Sequence, residues 1–179
     1  MDKIQELRKK IDGIDDKLLD LLNERARIVI EIGNIKKTGK IDFHSPSRER
    51  EIIERLTVRN HGPLPQDTLK AVFREIMSSS LSLERPLKIA YLGPRATFTH
   101  MAGMQQFGLA AQYVPVENIK DVFSEVERGR ADYGVVPIEN TTSGAVSYTL
   151  DMFIDSDLKI AAEIMLEVSQ HLMNKSGKL

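Results

Sequence analysis

Two cationic side chains share one face of a long helical pattern near the start of the chain. Arg25 lies in a seam of apolar residues, where an unpaired guanidinium is costly to bury, so we expect an anionic group to meet it. Lys36 follows 11 residues later, about 20° around a helix and about 16 Å along it. Two long cations at this spacing could bracket a small dianion. An ion pair between Arg25 and a Glu or Asp of another helix is the alternative.

Further polar residues recur in the first half of the chain. Arg8 is 17 residues before Arg25, about 26 Å along a helix, so it could reach the same small ligand only from a second chain. Arg48 and Glu49 open a second helical pattern. Taken singly, each of these is more often a solvated surface group than a ligand contact.

A hydroxyl and a carboxyl follow on a third helical pattern. Ser80 and Glu84 are four residues apart, which places both side chains on one helix face. Either side chain taken alone is again more often a solvated surface group than a ligand contact. Together with the cations they would make a compact polar site.

The seam that carries the cations predicts one helix over residues 4–35. Its positions recur at alternating steps of three and four, and all are apolar except Arg25: Ile4, Leu7, Ile11, Ile14, Leu18, Leu21, Arg25, Ile28, Ile32 and Ile35. A helix of about 35 residues extends roughly 50 Å, too long for two short helices to cover. We therefore expect a second copy of the chain to cover it.

Two shorter helices are predicted to complete the first 85 residues. Ser45-Pro46 indicates an N-cap followed by proline at the first helical position. The segment HGPLP then separates this second helix from a third, predicted over residues 66–83.

After residue 86 the pattern changes to alternating strands and helices. The strand candidates are LKIAYLG, AQYVPV, ADYGVVPI and LKIAAEIML. The helix candidates are FTHMAGMQQF, IKDVFSEVERG and residues 146–154. This alternation predicts an α/β unit with a largely parallel sheet.

The composition narrows the function classes. Among 179 residues, 25 Lys and Arg balance 26 Asp and Glu, so no global charge favours nucleic acid or an anionic membrane. Without cysteine there is no disulfide, thiolate nucleophile or cysteine metal site, and the four histidines show no metal-ligand spacing. No apolar run approaches the roughly 18 residues of a membrane span. We expect a soluble, cytoplasmic protein without metal or cofactor.

Three segments of residues 1–85 resemble the all-helical class of chorismate mutase: LRKKIDGIDDKLLDLLNERARIVIEIGNIK, SPSREREI and FREIMSSSLSLE. The resemblance implies an isomerase of phenylalanine biosynthesis that converts chorismate to prephenate without a cofactor, as an intertwined homodimer with shared sites. The implied catalytic residues are Arg25, Lys36 and Glu84. The implied substrate-binding residues are Arg8, lent by the partner chain, Arg48, Glu49 and Ser80.

Two positions depart from the commonest pattern of this family. Ser45 stands where many members have an Asp. Glu84 stands where some members have a Gln that faces the ether oxygen of the substrate. An ionised glutamate would repel that oxygen, so Glu84 must be protonated to donate a hydrogen bond.

The second half resembles the opening of prephenate dehydratase. YLGPRATFTHMA and VVPIENTTSGAV are similar to its motifs GPxGTFS and VPIENSxxG, with Arg95-Ala96 where a small residue and then Gly are usual. The resemblance implies a first lobe of periplasmic-binding-protein-like type. The implied residues of the dehydratase cleft are Thr97, Glu139, Asn140, Ser143 and Gly144.

The sequence thus predicts a mutase domain over residues 1–85 and an incomplete dehydratase domain over residues 86–179. The threonine motif Thr-Arg-Phe of the dehydratase family is absent, so we expect no dehydratase activity from this chain. Two alternatives are a module that only binds a small anion and a protein that only dimerises. Arg25 beside Lys36, Arg48 and Glu49 argues against a pure dimerisation helix, and chorismate turnover would distinguish the enzyme from the binding module.

Overall fold

Three helices followed by an α/β unit make up the described part of the chain, residues 2–39, 43–140 and 144–169 of a computed structural model. The elements in chain order are α1 (Lys3–Gly39), α2 (Pro46–Arg59), α3 (Gln66–Glu84), β1 (Lys88–Leu92), α4 (Phe98–Phe107), β2 (Gln112–Val116), α5 (Ile119–Glu127), β3 (Tyr133–Val135), β4 (Glu139–Asn140), β5 (Gly144–Ala145) and α6 (Ser147–Asp155). The predicted helical first half and the predicted α/β second half are therefore both confirmed.

The long helix α1 leaves its apolar seam half exposed in the single chain. The exposed fraction of the apolar seam side chains runs from 42% at Ile32 to 65% at Ile35, and Gly33 is the one buried residue of α1. α3 packs against both α1 and α2. No helix within the described ranges is both long and apolar enough to cross a bilayer.

The start of α2 follows the sequence prediction. Ser45 is the N-cap in extended conformation, and Pro46 is the first helical residue. The backbone amides of Arg48 and Glu49 both donate to the carbonyl oxygen of Ser45, at 3.1 and 3.2 Å. The Ser45 hydroxyl makes no capping bond and lies 3.1 Å from the hydroxyl of Ser47.

The central sheet has the order β2-β1-β3, and both pairings are parallel. Ile89, Ala90 and Tyr91 of β1 are fully buried. Ile89 and Tyr91 pack in one hydrophobic cluster, whereas Ala90 packs with Val122 in another. Since alternate residues of a strand face opposite sides, both faces of β1 are covered, which explains its unbroken apolar run. The predicted parallel sheet is confirmed.

The end of α3 joins the two halves of the chain. Leu81 packs with Leu87 and Tyr91 in the cluster on one face of the sheet. The next residue after the helix, Arg85, forms an ion pair with Asp132 at 2.5 Å. Asp132 also accepts from the backbone amide of Lys88 at 2.9 Å. α3 therefore packs with the helices of the first half and also contributes to the core of the α/β half.

One strand prediction was wrong, and another was confirmed over a shorter range. Residues 158–166, predicted as a strand from LKIAAEIML, form neither helix nor strand; Ile164 instead packs beside the core cluster. An apolar, β-prone segment becomes a strand only where another strand pairs with it, and no described strand does so here. The strand predicted over ADYGVVPI is limited to β3, and the chain continues into the antiparallel ribbon β4-β5. The predicted helix over residues 146–154 is confirmed as α6.

Candidate active sites

The first candidate site lies between α1 and α3. The guanidinium of Arg25 donates to the hydroxyl oxygen of Ser80, and the hydroxyl of Ser80 donates to the carbonyl oxygen of Ile76 at 2.6 Å. Since the Ser80 proton is directed to its own helix, its lone pairs face Arg25. Ser80 therefore orients the guanidinium without neutralising its charge.

The second cation of α1 meets a buried carboxyl on α3. The ammonium of Lys36 donates to the carbonyl oxygen of Phe43 at 2.7 Å and to Oε2 of Glu84 at 3.3 Å. The side chain of Glu84 is only 6% exposed. An ammonium has three N–H groups, and the described residues occupy two of those on Lys36. The remaining one can bind a ligand.

The two cations converge. Arg25 and Lys36 are about 16 Å apart along α1, but their partners Ser80 and Glu84 are about 6 Å apart along α3. The long side chains must therefore lean towards each other across the space between the helices. A ligand in this space would meet two positive charges, a hydroxyl and a carboxyl.

Arg25 has no carboxylate partner among the described residues. Burial lowers the pKa of its guanidinium, because a partly desolvated cation is destabilised. The alternative of an interhelical ion pair therefore does not account for Arg25 within the described part of a single chain. A bound anion would provide the missing counter-charge.

Gly33 permits the close approach of the two helices. A Cβ atom at this position would lie 2.9 Å from Cγ and 3.2 Å from Cβ of Glu84. Real Cβ atoms do not approach carbon this closely, so any larger residue would displace Glu84. Sequence reasoning missed Gly33, because a lone glycine within a helical pattern gives no sign of the residue that packs against it.

The Arg48-Glu49 pair is divided between two environments. Arg48 is exposed and pairs with Glu51 at 2.6 Å, so the single chain does not bring it into the cluster of Arg25 and Lys36. Glu49 is partly buried and lies 3.1 Å from Nε2 of His44.

The remaining predicted residue of the first site lies far from the others. Arg8 is exposed on the N-terminal part of α1, about 26 Å from Arg25 along the helix. The single chain does not bring it to the cluster.

The second candidate site lies where two parallel strands end. Thr97 follows β1 and is the N-cap of α4; its hydroxyl lies 3.1 Å from the carbonyl oxygen of Leu92 and 3.0 Å from that of Pro94. Glu139 and Asn140 of β4 follow β3. Because β1 and β3 are parallel neighbours, both segments leave the same edge of the sheet.

The ribbon β4-β5 holds the other predicted residues of this second site. Gly144 pairs with Asn140 and has φ 75°, a conformation that favours glycine. The buried hydroxyl of Thr149 donates to the carbonyl oxygen of Pro137 at 2.7 Å and ties the segment between β3 and β4 to α6. Glu139, Asn140 and Gly144 are exposed. Ser143 lies outside the described residues.

Two family models match the chain, one in each half. The model for chorismate mutase type II matches residues 7–85, and the model for prephenate dehydratase matches residues 89–179. The chain belongs to the prephenate dehydratase family. Its first half carries the chorismate mutase type II domain.

Known relatives have both parts. A bifunctional chorismate mutase/prephenate dehydratase of Aquifex aeolicus is 51% identical over 183 residues, which cover 100% of this chain and 51% of the relative. One of Pseudomonas aeruginosa is 43% identical over 96% of this chain and 48% of its own length. A solved chorismate mutase of Thermus thermophilus is 41% identical, covers 46% of this chain and 94% of its own, and has a TM-score of 0.46. The chain spans about half the length of the curated relatives it matches.

One departure from the prephenate dehydratase motif has a visible structural consequence. Ala96, where Gly is usual, has φ 66°. A side chain disfavours this left-handed conformation, whereas glycine adopts it freely. The backbone amide of Ala96 donates to Nδ1 of the buried His100 at 3.2 Å, which holds the turn in place.

Proposed function

We propose that residues 1–85 catalyse the rearrangement of chorismate to prephenate. The observation that carries this proposal is the convergence of Arg25 and Lys36 on Ser80 and Glu84. Chorismate is a dianion, and the cluster offers two cations around one small space. The chorismate mutase type II match over residues 7–85 supports the same assignment.

The rearrangement is concerted, so it needs no nucleophile, metal or redox group. The protein must hold the enolpyruvyl chain over the ring and stabilise negative charge on the ether oxygen as the carbon to oxygen bond breaks. In this proposal Arg25 binds a carboxylate, while Lys36 and protonated Glu84 face the ether oxygen. Ser80 orients Arg25, and Arg48 with Glu49 holds the hydroxyl and the ring.

The proposal includes a homodimer with shared sites. The half-exposed seam of α1 includes Ile4, Leu7, Ile11, Ile14, Leu18, Leu21, Ile28, Ile32 and Ile35. Covering each of these half-exposed side chains would contribute about 1 kcal/mol, hence roughly 10 kcal/mol per chain. An antiparallel partner helix would also bring its Arg8 towards Arg25, a distance that one helix alone cannot span.

Turnover of chorismate by the full chain tests this proposal. We expect loss of the chorismate absorbance, and we expect Lys36→Ala to lower kcat by at least about 100-fold, because it removes a charge that faces the developing oxyanion. Lys37→Ala is the matched control, since Lys37 is exposed on the same helix. Chorismate binding without turnover would favour the binding module instead, and equal losses in both variants would remove Lys36 from the site.

For residues 86–179 we propose one side of a dehydratase cleft of periplasmic-binding-protein-like type. The positions of Thr97 and Glu139 at the same edge of the sheet support this proposal, as does the prephenate dehydratase match.

Calorimetric measurement of prephenate affinity tests this proposal. The Arg25→Ala background serves to separate binding in the dehydratase cleft from binding at the mutase site. Glu139→Ala should weaken binding, whereas Glu163→Ala, exposed beyond α6, should not. Identical affinities in the two variants would contradict this placement of Glu139.

A further inference from the structure

A histidine links Glu49, one of the residues predicted for the mutase site, to the α/β half of the chain. Nε2 of His44 lies 3.1 Å from Oε1 of Glu49, and Nδ1 of His44 lies 2.8 Å from the hydroxyl of Tyr133. Glu49 belongs to α2, whereas Tyr133 begins β3, 89 residues after His44. One imidazole thus contacts both halves.

For a neutral imidazole and an ionised Glu49, the chemistry of the three groups fixes the direction of the link. An ionised carboxylate only accepts hydrogen bonds, so Nε2 of His44 must donate to Glu49. In the neutral ring Nδ1 then accepts from the hydroxyl of Tyr133. The order is therefore tyrosine to histidine to glutamate, and rotation of the imidazole would break both bonds.

Aromatic packing holds the imidazole in this orientation. The ring of Tyr133 meets the His44 ring edge to face at 5.3 Å between centroids, and Phe107 of α4 lies 6.3 Å away. Phe107 and Tyr133 contact each other at 5.0 Å. The side chain of His44 is only 9% exposed. Both aromatic contacts come from the α/β half, so that half sets the position of the histidine.

We propose that His44 is a positioning residue of the mutase site, which holds Glu49 in place for the substrate and is itself held by Tyr133. The α/β half thereby sets the affinity of the mutase for chorismate. This inference rests on the proposed mutase function, and it assigns no catalytic contact to His44. Its effect should fall on KM, because a group that binds ground state and transition state equally changes KM and leaves kcat unchanged.

Two substitutions at His44 separate its two bonds. His44→Gln places an amide near the position of Nε2 and keeps a donor for Glu49. His44→Asn places an amide near the position of Nδ1 and keeps only the contact to Tyr133. We expect KM within about threefold of wild type for His44→Gln and a rise of about tenfold for His44→Asn, with kcat within about twofold in both.

The substitution Tyr133→Phe tests the link to the α/β half. It keeps the ring packing and removes the hydroxyl, so KM should rise about threefold while kcat stays constant. Tyr148→Phe is the matched control, because Tyr148 is 49% exposed on α6. His61→Gln and His61→Asn, at an exposed position between α2 and α3, are the controls for His44. Thermal unfolding of each variant shows whether a change in KM reflects lost folding.

Three results would overturn the inference while leaving the mutase proposal intact. The first is a wild-type KM in Tyr133→Phe. The second is a KM for His44→Asn no higher than that for His44→Gln. The third is a loss of kcat with unchanged KM in the His44 and Tyr133 variants. A purely structural interface role predicts the second of these, since Asn keeps the bond between the halves. If the wild type consumes no chorismate, the proposed function fails instead.

The nitrogen-15 spectrum of the His44 ring then tests the contact without turnover. His44→Gln identifies the signal by its disappearance, and Tyr133→Phe should shift the Nδ1 resonance. An unchanged resonance would refute the link.

Discussion

Replacing Gly33 with alanine tests whether the close approach of α1 and α3 sets the position of Glu84. The new Cβ would lie 2.9 Å from Cγ of Glu84, whereas carbon atoms in contact lie about 3.5 Å apart or more. Glu84 must therefore retreat by about 0.6 Å. A retreat directly away from Lys36 would lengthen the contact of Glu84 with its ammonium from 3.3 Å to about 3.9 Å, beyond a hydrogen bond.

The expected loss of activity is large and the expected change in stability small. A displacement of about 1 Å in a catalytic group can cost about 100-fold in rate, so we expect kcat/KM for chorismate to fall by about 10- to 100-fold. Alanine is favoured over glycine in a helix by about 1 kcal/mol, and overpacking costs about 1–3 kcal/mol. The free energy of unfolding should therefore fall by no more than about 2 kcal/mol.

Gly13→Ala is the matched control on the same helix. A Cβ atom at Gly13 meets nothing within 4 Å, so this variant should gain about 1 kcal/mol in stability and keep wild-type kcat/KM. The assays are chorismate loss and urea unfolding of both variants. The reasoning is refuted if Gly33→Ala keeps kcat/KM within twofold of Gly13→Ala, or if its loss of activity only follows a loss of folded protein.

Three further predictions concern Glu84, the sharing of sites between two chains and the backbone of Ala96. Glu84→Gln should keep turnover of chorismate near neutral pH, because its amide donates permanently to the ether oxygen, whereas Glu84→Ala should lose it; equal losses in the two variants would remove Glu84 from this role. Mixing Arg8→Ala chains with Arg25→Ala chains should restore about one intact site per heterodimer, and a mixture as inactive as its parents would contradict shared sites. Ala96→Gly should raise the free energy of unfolding in urea by about 0.5 kcal/mol, since relief of about 1–2 kcal/mol at φ 66° outweighs the greater freedom of unfolded glycine; a decrease would contradict this.

The sequence predicted those features that depend on helical or strand periodicity alone. The seam of α1 and the common face of Arg25 and Lys36 follow from 3.6 residues per turn, and the structure has both. The start of α2 at Pro46 follows from a local preference of proline. These features need no knowledge of what packs against the element.

Features that depend on a distant partner could not be predicted. Gly33 matters because Glu84, 51 residues later, lies opposite it, and a lone glycine in a helix gives no sign of its neighbour. His44 matters because Tyr133 folds against it. Residues 158–166 have the composition of a strand and lack a partner strand within the described ranges. The residue pattern sets which secondary structure a segment prefers, and tertiary packing decides whether the segment forms it.

The shared helix α3 has a consequence for recombination between related genes. A crossover at codon 85 would pair the mutase helices of one parent with the sheet of another. Leu81 would then face a foreign surface in place of Leu87 and Tyr91, with loss of about 1.5–3 kcal/mol if the fit failed. Ser80 and Glu84 are on the same two turns as Leu81, so a shift of the helix would also move them. Chimeras that exchange the segment from α3 through β1 as one block should therefore fold and keep activity more often than chimeras joined between α3 and β1.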